Sequence, residues 1–163
     1  MRKNYIVLIM TMVLAVLLTA CGSSGNDETA YESSMTTKEM TDSVTKQYEQ
    51  PSLMELPAEN VSTLYHLDPE LLEEYTILIP LMNVKTNEIA VLKVKDSKNI
   101  TTVEEAVKQR AADVQKQFET YLPDQYENAK NYKLVTKGSY VIFVISDKAD
   151  ELIEAFDSFF VRE

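Results

Sequence analysis

The sequence is poor in the residues on which most site chemistries are built. Among its 163 residues are one cysteine, one histidine, three glycines and no tryptophan. A single thiol, Cys21, makes no intramolecular disulfide, so the folded body must be held by its core alone. A single histidine, His66, offers neither a Cys–His pair nor a metal set, and no HExxH or EF-hand spacing occurs. Glycine stands only at 22, 25 and 138, which leaves no phosphate-cradling loop and no GxSxG elbow. Bases are also scarce, with 16 Lys and Arg against 26 Asp and Glu, a net charge of −10. That balance argues against nucleic acid and against docking on anionic headgroups, both of which need clustered cations. The sequence therefore predicts no cofactor, no metal and no catalytic set built on cysteine or histidine.

The N-terminus carries the most specific signal. Arg2 and Lys3 precede an uncharged apolar run from Tyr5 to Leu18, the length of a secretory h-region and short for a helix crossing about 30 Å of hydrocarbon. Leu18-Thr19-Ala20-Cys21 then reads as a lipobox, in which a small residue precedes a cysteine whose thiol can be alkylated to a diacylglyceryl thioether. Two acyl chains anchor stably where one is marginal. Residues 1–20 are read as a signal peptide that is removed, which takes two bases and no acid and deepens the net charge from −10 to −12. Residues 21–37 are read as the lipidated cysteine and a tether rich in Ser, Gly, Asn and acids. Residues 38–163 are read as one domain on the outer face of a cytoplasmic membrane.

Hydrophobic periodicity predicts the elements of that domain. Met40, Val44 and Tyr48 form a helical stripe stopped by Pro51, and a short helix is expected across Glu59 to Tyr65. Asp68-Pro69-Glu70 reads as a turn or helix start, with Leu71, Leu72 and Tyr75 packing inward. Tyr75 to Met82 suggests a strand buried on both faces, with an edge or bulge at Pro80. Glu88 to Lys95 alternates, with Ala90, Leu92 and Val94 on one face and Ile89, Val91, Lys93 and Lys95 on the other. The long helix opens on a capping box at Thr101/Glu104 or Thr102/Glu105 and pairs Glu104 with Lys108. It buries Val103, Val107, Val114, Phe118 and Tyr121 and ends at Leu122-Pro123. Two strands, Tyr132–Thr136 and Ser139–Ile145, flank a Lys137-Gly138 turn. Asp147 then caps a final helix burying Leu152, Ile153, Phe156 and Phe160. The expected fold class is α+β: a small antiparallel sheet of about four strands packed with a long central helix, a C-terminal helix and short N-terminal helices.

Several stretches resemble a known family: Leu64-Tyr65-His66-Leu67-Asp68, Glu74-Tyr75, Asn87-Glu88-Ile89-Ala90-Val91, Arg110, Phe118 to Tyr126, and Lys137-Gly138-Ser139-Tyr140-Val141. Tyr121-Leu122-Pro123-Asp124-Gln125-Tyr126 is the most specific. The chain is similar here to the Gram-positive lipoproteins that carry the domain of unknown function numbered 4358. The resemblance spans about Lys38 to Phe160. It implies a bacterial lipoprotein of this architecture and brings no activity, substrate or catalytic residue.

Candidate sites are few. Cys21 is the expected lipid-attachment residue, and Gln125 and Tyr126, beside a helix-ending proline, are the candidate binding residues. Asp68, Glu70, Glu73 and Glu74 lack a calcium loop and read as a solvated face, and His66 reads as a surface or packing residue. The functional expectation is a membrane-anchored extracytoplasmic binding or interaction module for an unknown protein, peptide or small molecule. The alternative is a small envelope hydrolase working with carboxylates, since a fold can bring distant acids together.

Overall fold

The computed structural model describes residues 31–162. Residues 1–20, read above as a signal peptide, Cys21 and the first part of the expected tether lie outside the described residues. The elements are β1 (Tyr31–Glu32), α1 (Thr37–Gln47), β2 (Leu53–Glu55), α2 (Val61–Tyr65), β3 (Leu72–Pro80), β4 (Glu88–Val94), α3 (Ile100–Phe118), α4 (Pro123–Lys130), β5 (Lys133–Lys137), β6 (Tyr140–Ile145), α5 (Ala149–Asp157) and β7 (Val161–Arg162). Among the described residues the first element is β1 at Tyr31, ahead of Lys38. A capping box between Thr36 and Glu39 starts α1, with each side chain meeting the other residue's backbone N–H. Among the described residues no helix is long and apolar enough to cross a membrane.

The fold is α+β, as expected, with an antiparallel sheet of five strands in the order β2-β3-β4-β6-β5. β1 and β7 form a separate antiparallel pair. Both faces of the sheet are covered, because the central strands are apolar at successive positions and each face must be removed from water. On one face Ala90, Leu92, Val141 and Phe143 pack with Val103, Val107, Val114 and Phe118 of α3. On the other, Ile89, Val91, Ile142 and Val144 pack with Met40 and Val44 of α1 and with Leu152 and Phe156 of α5. The period-2 alternation of β4 divides between these two cores as read from the sequence.

Several expectations are corrected. β2 adds a fifth strand, pairing Leu53 with Pro80. β3 starts at Leu72 and ends at Pro80, and its irregularity lies between Leu72 and Glu74, at the opposite end from the proline. Leu81 and Met82 lie beyond the strand and are exposed. α3 is led in by a 3-10 turn over Ser97–Asn99 that Asp96 caps, so Thr101 and Thr102 fall inside the helix and form no capping box. Lys108 pairs with Glu105 at 2.7 Å, while Glu104 accepts a hydrogen bond from Thr136. α3 ends at Phe118, and the extended backbone that proline imposes on Leu122 separates it from α4, with Pro123 at the first helical position. Tyr121 lies in that turn, off the stripe and 64% exposed. The hairpin loop is Gly138-Ser139, since Lys137 pairs with Tyr140. Ser146, not Asp147, meets the start of α5, its Oγ accepting from the Lys148 N–H at 3.1 Å.

The sheet has two distinct poles. Gly138 (φ +54°) turns the β5–β6 hairpin at one pole, where a Cβ would come within 2.5 Å of the Tyr31 carbonyl oxygen. A side chain at that position would therefore meet both backbone strain and a clash. The chain enters the described body there, with Lys137 over the Tyr31 ring. β6 runs from this pole to the other over six residues, about 20 Å at roughly 3.3 Å per residue.

Candidate functional site

The far pole carries a cleft of about 460 Å³. Four segments build it, because the strands and helices that the core fixes all end there. Glu49, Gln50 and Pro51 follow α1, where the proline prevents helix continuation. Lys85 and Asn87 lead into β4, Asp147 and Lys148 follow β6, and Asp124, Gln125 and Asn128 stand on the first turns of α4. Nine of its ten lining residues have polar side chains: four carboxamides, three acids and two lysines. Among the described residues no aromatic one lines it.

Hydrogen bonds between these segments fix the wall. Gln125 Oε1 accepts from the Thr86 N–H at 3.0 Å and lies within 3.2 Å of the Thr86 hydroxyl, while Asn128 Nδ2 donates to the same hydroxyl at 3.0 Å. Gln125 Nε2 donates to Asp124 at 3.2 Å, and that bond first of all holds the Asp124 carboxyl below its ordinary range. Across the cleft, Gln50 Oε1 accepts from Asn87 Nδ2 at 3.3 Å and from the Ser146 hydroxyl at 3.2 Å. Among the described residues the buried Gln50 Nε2 has no acceptor. Leaving such a donor unmet costs about 1–3 kcal/mol.

Beneath the cleft, on the α3 side, lies a buried ion pair. Glu88 is 1% exposed, and its carboxylate takes Arg110 in two bonds, Nε to Oε1 at 3.0 Å and Nη2 to Oε2 at 2.7 Å. The Tyr65 hydroxyl donates to the same Oε1. Burial opposes the Arg110 charge, but the hydrogen bond and the attraction of Glu88 outweigh it and hold the guanidinium above its ordinary value. Burial, then the Glu88 charge, push the Tyr65 phenol well up. A smaller cavity of about 180 Å³ touches this pair and shares Lys85 with the cleft.

Of the residues singled out by sequence, Gln125 lines the cleft but is 9% exposed and tied to Thr86. Tyr126 is not among the lining residues. It packs against the first core with Lys130 over its ring at 5.1 Å. Cys21 lies outside the described residues. His66, in the left-handed region at φ 52°, closes α2 and meets Asp113 at 2.7 Å. The acids after α2 disperse: Asp68 caps a turn, Glu73 pairs with Lys93 and Glu74 accepts from the Thr37 N–H. Among the described residues no group of three His, Cys, Asp or Glu is placed to hold a metal.

Gln50, Asn128, Lys148 and the Tyr65–Glu88–Arg110 set were missed by sequence reasoning. For the buried set a signal existed. Arg110 stands three residues after Val107 and four before Val114, on the apolar stripe of α3, and Glu88 shares the inner alternation of Ala90 and Leu92. A cation and an acid at two core-facing positions demand each other. The segments that carry the family resemblance meet here too, since Tyr65, Glu88 and Arg110 bond to one another and Asn87 and Gln125 lie on the adjoining wall.

No curated protein and no solved structure matches the chain. One family model does match, over residues 46–146, a range that holds the buried ion pair and most of the cleft. The chain belongs to that family, the domain of unknown function DUF4358.

Proposed function

We propose that the protein is a lipid-anchored extracytoplasmic binding module whose polar cleft takes a small polar solute. The observation that supports this reading is the cleft itself: polar side chains from four chain segments line one concavity. The concavity has the size of a small-molecule site, and its polar lining, unlike the apolar walls usual in such sites, suits a polar solute. The anchor is Cys21, with the membrane as its partner through the lipid and residues 1–20 as the removed signal. The chain enters the described body at the Gly138 pole, and the cleft lies at the opposite pole.

Cys21→Ala is expected to abolish incorporation of a fatty-acid probe and to release the chain from the membrane fraction as precursor or secreted forms. Unchanged labelling would sink the anchor. A carboxylate hydrolase is the second reading, favoured by the three acids on the wall, Glu49, Asp124 and Asp147. It needs one carboxyl that stays protonated to serve as general acid. Asp124 is held in the opposite sense by the Gln125 amide and suits binding a cationic group instead.

A further inference from the structure

The chemistry of the wall narrows the ligand class, and this step rests on the binding reading above. We infer that the cleft takes a short peptide with free termini. No aromatic ring lines it, so a sugar face finds no stacking platform. Three acids outnumber two lysines, so a phosphate or a nucleotide meets net repulsion. A zwitterion meets both signs. The Asp124 carboxylate can take an ammonium, and Lys148 offers a cation to a carboxylate. Carboxamides present a donor beside an acceptor, the complement of a peptide unit's own C=O and N–H.

The smaller cavity supports the same class. It shares Lys85 with the cleft, and its walls include Leu64, Ile79, Val114 and Phe118. A polar cleft beside a partly apolar cavity, with Lys85 lining both, suits a backbone in the first and an apolar side chain in the second.

The test is calorimetric titration of the full chain in detergent micelles. The probes are Ala-Leu-Ala with free termini, its N-acetylated form, its C-amidated form, Ala-Gly-Ala, N-acetylglucosamine and inorganic phosphate. Ala-Leu-Ala is expected to bind. Each terminal block, the loss of the leucine side chain, and Lys148→Gln in the protein should each weaken binding about tenfold or more, with the melting temperature of the variant unchanged. Equal binding of free and blocked peptides overturns the inference. Binding of N-acetylglucosamine or phosphate in place of the tripeptide, lost in Lys148→Gln, overturns the peptide class and leaves the cleft as a site. No heat from any of the probes overturns both readings.

Discussion

Glu88 is a negative charge set inside the first core, and its two partners determine what each substitution there does. Arg110→Met removes the cation and leaves the carboxylate buried and uncompensated, so a loss of about 3–5 kcal/mol is expected in urea titrations. Tyr65→Phe leaves the ion pair whole and is expected to cost about 1–3 kcal/mol, as for a hydrogen bond to a charged group. The pair Glu88→Leu with Arg110→Met is expected to cost well under the sum of the two single changes, because the second removes the charge the first strands. A sum of independent losses would mean that the ion pair is not what holds this region. At the far pole the order of two substitutions is equally definite. Gln125→Ala strands the Thr86 N–H and is expected to cost about 1–3 kcal/mol, whereas Tyr121→Ala should stay within about half a kcal/mol. Thermal melts of both variants, read at equal protein concentration, decide this. The sequence pattern supports the reverse order, since Tyr121 continues the spacing of Val114 and Phe118. A helical period carries information only while the helix lasts, and α3 stops at Phe118. The burial of Gln125 has no periodic signal, because it comes from a loop folded over the start of α4 rather than from that helix's own face.

The elements that could be read from the sequence are those whose apolar pattern is long enough to set a period. α3, α5, β4 and β6 are of this kind, and the two faces of β4 divide between the two cores as its alternation requires. β1, β2 and β7 have two or three residues each and no pattern of their own. They are strands because longer neighbours offer them backbone partners. Between elements, α2 is held to α3 by the contact of His66 with Asp113, which also leaves Asp113 Oδ1 to accept from Gln109 at 3.0 Å. The His66 bond first of all holds the Asp113 carboxyl below its ordinary range. The folded state therefore releases this proton more readily than the unfolded chain, whose carboxyl titrates near pH 3.9. The associated stability is present above that pH and is lost as pH falls through the lower folded value. Asp113→Asn is expected to cost less than about 1 kcal/mol at pH 6, as both groups are partly exposed, and nothing near pH 2. Denaturant titrations of both proteins at the two pH values test this, and a difference that persists at pH 2 contradicts it.

At the scale of the molecule, the β1–β7 pair sets Tyr31 directly opposite Arg162, beside the Gly138 turn, while the cleft and the exposed Leu81–Val84 loop occupy the other pole. The two ends of the described body are thus neighbours across one strand pair, and its order does not depend on which peptide bond is left open. A circular permutant that joins residue 162 to residue 31 through a few glycines and opens between Met82 and Asn83 keeps every strand of the five-stranded sheet continuous. It is expected to melt cooperatively within a few degrees of the parent, with far-ultraviolet circular dichroism unchanged. An unfolded permutant would mean that the loop between β3 and β4 helps to hold the sheet together. The same geometry governs reporters: a fluorescent protein fused after β7 crowds the pole where the chain enters, and one inserted in the Leu81–Val84 loop stands beside the cleft. Only the first leaves the cleft open to a competitor, so a displacement assay on intact cells belongs to the fusion after β7.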